Sequence, residues 1–262
     1  MDLTGSRTGR VAAVAGVGPG LGRELALTFA EAGADLALLA RNGGYLEQVA
    51  GEVEAAGRAA LRLPADLTDR ARCAEAAERI GERYGAVDVL VHNAFSRPPL
   101  GSLGDRTAAD WHAAVDGNIL SATNLLYELL PLMRGRSAAV VLVSSISARR
   151  PYPDSGIYAV VKSAMLTLVQ VLARELGPHS VRVNAVVPGY IESDNLEAFF
   201  ADAGTRQGTS AAQARQAAQD ATCLGRFVTA REVADVAAFL GSPAAAGVTG
   251  QTLDVNAGQW FG

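Results

Sequence analysis

The 262-residue chain contains one lysine, Lys162, against twenty-two arginines. Cysteine, histidine and aromatic residues are also scarce: two, three and 6%. Cys73 and Cys223 stand far apart and match no CxxC pattern, which excludes a disulfide scaffold and leaves isolated reduced thiols as the expectation. His92, His112 and His179 form no ligand-spaced cluster, so a metal-dependent hydrolase is disfavoured and no metal site is expected. The longest uninterrupted apolar run, "AAVVLV" at 138–143, falls well short of the roughly 18 to 20 residues that span a bilayer. The opening "MDLTGSRTGR" lacks a hydrophobic signal segment, and the expected location is cytoplasmic. A net charge of −4 with scattered arginines leaves no footprint for nucleic acid.

Apolar residues are abundant, at 49%, enough at this length for one domain with a large core. Short β-like runs occur at 11–16, 35–40, 59–66, 87–94, 138–145, 181–189 and 251–256. Helical spacing separates them, as in Leu46, Val49 and Val53, or in Val233, Val236, Phe239 and Leu240 after the capping-box-like Thr229 to Glu232. Strands apolar on both faces and divided by helices predict a parallel sheet covered on both sides, the doubly wound, Rossmann-type α/β fold, with about seven strands. Residues 190–226 break the alternation with an Ala/Gln/Asp-rich insertion. In a compact domain such an insertion is expected to be a lid or substrate-binding loop.

The first strand runs into "AGVGPGLGRELALTFAEAG". Strand, then Gly16, Gly18, Gly20 and Gly22, then a helix start is what a pyrophosphate needs: backbone it can approach closely, and free N–H groups at the positive end of a helix. The spacing Gly16-x3-Gly20-x-Gly22, with Leu21 between the last two, departs from G-x-G-x-x-G, and a structural turn also accounts for a lone glycine cluster. Where an NAD-binding unit places an acid for the adenosine ribose, the second strand ends in Ala40 and Arg41. The planar fork of Arg41 suits a 2′-phosphate and favours NADP; a solvated surface arginine is the alternative. Asp66, ending the third strand beside Leu67, either meets the adenine amino group or caps the next helix.

The lone lysine follows a tyrosine by four residues in "YAVVK", Tyr158 to Lys162. With six tyrosines in 262 residues, chance would place it so about two times in a hundred. The segment is helical in pattern, and i,i+4 residues share a face, so both side chains point into one space. A phenol with pKa about 10 is a poor base at neutrality, and bringing it to about 7 takes about 4 kcal/mol of phenolate stabilisation. An adjacent ammonium supplies part of that, and unlike a guanidinium it can also relay a proton. Thirteen residues earlier, Ser145 ends the fifth strand at the carboxyl edge where ligands bind, with Ser144 and Ser147 as rivals for orienting a substrate oxygen.

Together these motifs resemble, over essentially the whole chain, a short-chain dehydrogenase/reductase of the compact single-domain branch. The family's T-G-x3-G-x-G appears as Ala15-Gly16-x3-Gly20-x-Gly22, and its N-N-A-G as His92-Asn93-Ala94-Phe95. Its Y-x3-K is Tyr158 to Lys162, and Pro188-Gly189 is its motif after the sixth strand. The resemblance implies a catalytic tetrad of Asn118, Ser145, Tyr158 and Lys162, with Asn118 holding a kinked backbone and a water that leads to the lysine. It implies a cofactor site of Gly16, Gly20, Leu21, Gly22, Arg41, Asp66, Leu67, Asn93, Ala94, Tyr158, Lys162, Pro188, Gly189, Ile191 and Ser193. Phe95 and His92 depart from the family pattern, as does Pro19, which replaces a basic residue that NADP users often carry. The implied activity is hydride transfer between NADP, or NAD, and a carbonyl or secondary alcohol. Phe95, Ser147, Arg149 and Tyr152 are expected to meet a moderately hydrophobic substrate, with Arg149 and Arg150 either greeting an anionic group or lying solvated. Phe199 and Phe200 suggest an apolar lid or ordinary packing. A homotetramer, or a homodimer, is implied. The rival readings are a non-catalytic dinucleotide-binding or scaffold protein, an NAD-dependent alcohol dehydrogenase working oxidatively, and a sugar-nucleotide epimerase. The epimerase needs a larger C-terminal substrate domain than this length accommodates.

Overall fold

The computed structural model describes residues 9–261 apart from 100, 153 and 154. Residues 1–8 of the N-terminal stretch read for a signal, Leu100 in the loop 96–102, Pro153 and Asp154 in the loop 148–156, and Gly262 lie outside the described residues.

Each expected strand forms inside the run that predicted it: β1 (Val11–Ala15), β2 (Asp35–Ala40), β3 (Ala60–Pro64), β4 (Val89–His92), β5 (Ala138–Val143), β6 (Val181–Pro188) and β7 (Thr252–Val255). They make one sheet in the order β3-β2-β1-β4-β5-β6-β7, and every ladder is parallel. β1, β4 and β5 are buried along their whole length, because helices cover both faces of the sheet. On one face pack α3 (Arg70–Tyr84), α5 (Ser121–Met133) and α6 (Gly156–Leu176), bringing Ile80, Leu125 and Met165 into the first core layer. On the other pack α1 (Leu21–Glu31), α2 (Gly43–Ala55) and α9 (Ala230–Gly241), whose Leu25, Leu46, Val49, Val53 and Val233 fill the second. The capping box expected before α9 is present, Thr229 and Glu232 each satisfying the other's backbone N–H. By length and composition α6 could cross a bilayer, yet its Met165, Val169 and Leu172 lie in the sheet's core.

A short helix α4 (Ala108–Val115) joins α5 through one π turn, Asp116–Leu120, a local widening that often marks a functional position. The parallel register sets Ala15 beside His92, His92 beside Leu142 and Val143 beside Val186, so the carboxyl ends of β1, β4, β5 and β6 form one edge. The chain reverses direction across the sheet between β1 and β4, and a crevice opens outside that edge.

The insertion 190–226 is not an irregular loop. It forms α7 (Asp194–Gln207) and α8 (Ala211–Asp220) over a small core of their own, Leu196, Phe200 and Phe227, against which Tyr190 and Phe199 pack. The Arg215 guanidinium lies 5.0 Å from the centre of the Phe227 ring and pairs with Glu192 at 2.7 Å and Glu197 at 2.5 Å, fastening α8 to the chain that enters α7.

Candidate active site

The crevice is a cleft of about 990 Å³. At one end stands the glycine turn, where the glycines divide into two kinds. A Cβ on Gly16 would meet Ala94 N at 2.4 Å, and one on Gly22 would meet Gly16 O at 2.3 Å. Gly16 is glycine because the β4 exit packs against it, with Asn93 Nδ2 donating to Gly16 O at 2.9 Å, and Gly22 because the helix start closes onto the turn's own backbone. Gly18 and Gly20, by contrast, would carry a Cβ into open space, Gly20 at a φ of +82° that disfavours any other residue. No side chain caps α1, whose N-cap is Gly20, so its first N–H groups face the cleft. Open backbone at an uncapped helix start fits the pyrophosphate of a dinucleotide.

Further along, Arg41, Asp66 and Leu67 line the cleft after β2 and β3. Among the described residues Arg41 makes no ion pair or hydrogen bond. Asp66 accepts from Thr68 N at 3.0 Å and Thr68 Oγ1 at 2.8 Å, bonds that hold its carboxyl below the usual range. It does not cap α3: that role falls to Asp69, which accepts from Ala71 N and Arg72 N. The remaining expected cofactor residues Leu21, Asn93, Ala94, Pro188, Gly189, Ile191 and Ser193 also line the cleft. Ser193 additionally caps α7, accepting from Leu196 N.

At the far end Ser145, Tyr158 and Lys162 come together. Ser144 is withdrawn from the contest for the substrate oxygen, because it is buried and donates to Lys162 O at 3.0 Å. Ser147 lines the cleft but is buried, its N–H and Oγ both bonded to Ser145 Oγ, which it thereby orients. Ser145 in turn neighbours the Tyr158 hydroxyl. Contrary to the fall expected from the adjacent ammonium, burial pushes the Tyr158 phenol above its ordinary 10, opposed by Ser145 and by the charge of Arg97 and not by Lys162. Lys162 is only 3% exposed. Its Nζ donates to Val143 O at 3.1 Å and lies 5.8 Å from the Tyr158 ring centre and 5.6 Å from that of Phe95. Desolvation alone brings its pKa from 10.5 down to about 8.

Asn118 sits within the π turn, fully buried behind the cleft wall. Its Nδ2 donates to Ser96 O and Ala114 O, each at 2.9 Å, while its Oδ1 is buried without a donor among the described residues. A kinked backbone and an orphaned acceptor fit the water-held relay implied by the resemblance. Nearby, Ser121 Oγ donates to Gly117 O and lies 3.3 Å from His92 Nε2. His92 therefore donates through Nε2. Burial first, and the charge of Lys162 second, push its pKa down to about 3, so it stays neutral.

Of the expected substrate residues, Phe95, Ser147 and Tyr152 line the cleft and Arg149 does not. Arg149 turns toward β7, pairing with Asp254 at 2.8 Å and donating to Thr252 Oγ1 at 2.7 Å, so it ties the β5 exit to the sheet edge. Arg150 lies 5.5 Å over the Trp260 ring. The cation that reaches the catalytic end is instead Arg97, a lining residue unpaired among the described residues. Its place in the loop after β4 was the available signal. Phe199 and Leu196 reach the cleft from α7, and Phe199 meets Tyr152 edge-on at 6.4 Å, while Phe200 belongs to the packing beneath. No group of His, Cys, Asp or Glu suited to a metal occurs among the described residues. Cys73 and Cys223 are free, and burial raises the Cys73 thiol to about 11.

The fold, the cleft and the Ser–Tyr–Lys cluster at its end define a dinucleotide-dependent oxidoreductase. Residues 16–259 match the family model described as enoyl-(acyl carrier protein) reductase. The chain is 31% identical over 251 residues to the 7α-hydroxysteroid dehydrogenase of Escherichia coli, covering 95% of this chain and 94% of that one. L-sorbose reductase of Gluconobacter frateurii, solved with NADPH and L-sorbose, superposes with a TM-score of 0.91 at 26% identity over 100% of both chains. An NAD+-bound xylitol dehydrogenase superposes with a TM-score of 0.90 at 25% identity, over 96% of this chain and 99% of that one. The chain belongs to the short-chain dehydrogenase/reductase family. It is an NAD(P)-dependent oxidoreductase acting on CH–OH and C=O groups of a small-molecule substrate.

A lysine buried this deeply, with no carboxylate partner among the described residues, destabilises the fold. Below about pH 8 the proton is carried in both folded and unfolded chains, and the folded state bears the full cost of burying it. Between about 8 and 10.5 the unfolded lysine alone stays protonated, so that cost disappears as pH rises. Lys162→Met is expected to raise the stability of the cofactor-free protein at pH 7 by about 3 kcal/mol, a gain that fades toward pH 10.5. Denaturant unfolding of both proteins across that pH range checks it; a destabilised variant, or a gain independent of pH, contradicts it.

Proposed function

We propose that the protein is an NADP-preferring ketoreductase for a moderately hydrophobic carbonyl compound. The carrying observation is the convergence of Ser145, Tyr158 and Lys162 at the aromatic end of a cleft whose other end holds Arg41. A bound nicotinamide dinucleotide supplies the hydride, and everything else is the work of the chain. Gly18, Gly20 and the start of α1 hold the pyrophosphate, and Arg41 holds a 2′-phosphate on the adenosine ribose. Ser145 Oγ donates to the substrate carbonyl oxygen and orients it toward the Tyr158 hydroxyl. Tyr158 passes its proton to that oxygen as charge builds there.

Burial supports the reductive direction, since a phenol kept above its ordinary 10 is protonated at neutral pH and ready to donate. An alkoxide is a far stronger base than a phenolate, so the transfer is downhill. Lys162 and Arg97 stabilise the phenolate left behind. Lys162, poised near 8, is also able to give up a proton and regain it through a water donating to Asn118 Oδ1, which is buried without a donor among the described residues. Tyr152, Tyr190, Leu196 and Phe199 wall the substrate end, which favours an apolar body around the carbonyl. The 7α-hydroxysteroid dehydrogenase among the relatives supports an apolar substrate, and the NADPH-bound L-sorbose reductase supports the cofactor. The exposed Tyr127, Val160 and Val171 support assembly as a homotetramer.

Tyr158→Phe removes the proton donor and is expected to lower kcat by about 10²- to 10⁴-fold with the fold intact. Steady-state kinetics on a panel of ketones checks this, and near-normal turnover would overturn the assignment. Arg41→Asp exchanges a phosphate partner for one that repels it. The ratio of kcat/KM for NADPH over that for NADH is expected to fall about tenfold or more. An unchanged ratio would mean that Arg41 does not read the phosphate.

A further inference from the structure

Phe95 occupies the position where the resembled N-N-A-G motif ends in glycine, and its side chain is an anomaly by ordinary packing rules. It is 47% exposed, although neighbouring apolar side chains from β4 are buried. The backbone on either side of it is pinned. Asn93 donates through its N–H to Ala15 O at 2.8 Å and through Nδ2 to Gly16 O at 2.9 Å. Ser96 O accepts from Asn118 Nδ2, and Ser96 Oγ donates to Ala113 O at 2.9 Å. Gly117 makes that second anchor possible, since a Cβ there would fall 2.3 Å from Ser96 Oγ. A segment held this closely presents the ring to the Lys162 ammonium, 5.6 Å from the ring centre. The Tyr158 ring lies at 5.8 Å from the same nitrogen. Both distances fall within the roughly 6 Å over which an aromatic ring attracts a cation.

We propose that Phe95 is a positioning residue for Lys162, one wall of an aromatic slot, with Tyr158 as the other, that holds the ammonium at the cleft by ring–cation attraction. Other groups leave that work undone. Val143 O accepts one of the three ammonium protons. His92, at the end of β4, is neutral, and Ser144 of β5 touches only the Lys162 backbone. Arg97 and Asp116 line the cleft, and neither pairs with Lys162 among the described residues. No carboxylate among the described residues offsets the charge, so the faces of the rings are the electron-rich surfaces left to do so. The attraction exists only for the protonated amine. Phe95 therefore favours the charged form, against the desolvation that favours the neutral one. The slot's role in turnover rests on the proton-transfer part proposed above for Lys162; its existence does not.

Because the chain has one lysine, [13Cε]lysine labelling yields a single resonance, and its pH titration in the cofactor-free protein reads Lys162 directly. The native protein is expected to titrate near 8. Phe95→Leu keeps an apolar wall but removes the ring, and the midpoint is expected to fall by about half a pH unit. Phe95→Trp strengthens the ring's negative face and is expected to move it up. A Leu variant that failed to fold would show the resonance of a free lysine, and the Trp variant alone would then decide. The basic limb of the kcat/KM profile should follow the same shifts. A midpoint unchanged or raised in Phe95→Leu, or unchanged in Phe95→Trp, would overturn the slot. A changed KM for ketone with that unmoved titration would make Phe95 a substrate-pocket wall only. Matching NMR shifts without any change in the rate profile would keep the slot and remove Lys162 from the proton path.

Discussion

The protein depends on keeping one ammonium, that of Lys162, buried at a cleft where it is largely desolvated and no acid among the described residues neutralises it. Most of the architecture around the cleft can be understood as provision for that charge. β5 ends so that Val143 O is free to accept from the amine, and Ser144 fixes the helix turn that carries it. α6 brings Tyr158 alongside, and the β4 exit brings Phe95. The π turn in front of α5 opens the backbone just where Ser96 must come close and where Asn118 holds a buried oxygen without a donor among the described residues. The result is a poised base obtained at a loss of stability, the common bargain of active sites.

The two ends of the cleft differ in how they are built. At the glycine turn the requirement is for emptiness, and it is met by removing side chains: Gly16 so that the β4 exit can lie against the turn, Gly22 so that the helix can start against it, and two more that leave open backbone toward the cleft. At the catalytic end the requirement is for crowding. Aromatic rings from four separate segments, Phe95, Tyr152, Tyr158 and Phe199, line the cleft with Ser145 and Lys162, the groups proposed to react, and the helices α7 and α8 carry their own small core to hold Phe199 in place. A parallel sheet serves both ends because its register aligns the carboxyl termini of four strands on one edge.

Much of this was legible in the sequence because it rests on local signals. Strands apolar on both faces can only belong to a doubly covered sheet, and all seven formed where those runs occur. Tyr158 and Lys162 share a helix face by periodicity alone. What stayed hidden depends on partners far along the chain. Arg149 looked free to meet a substrate until the fold brought Asp254, 105 residues away, to its side. Asp66 and Asp69 both suit a helix start, and only the exact turn gives the cap to Asp69. Phe95 was expected only to meet the substrate. That its ring faces an amine on another element could not be inferred, because two elements had to dock first.

If the lone lysine is retained because its proton can leave and return, then charge alone should not replace it. Lys162→Arg keeps a cation over the same two rings but one that does not titrate near neutrality. Its kcat/KM for ketone reduction, measured across pH with a cofactor-binding titration on the same samples, is the direct test. We expect cofactor still to bind while turnover falls about a hundredfold or more and the basic limb near pH 8 disappears. An arginine variant that reduces ketones at close to the native rate, with an unaltered pH profile, would contradict the account.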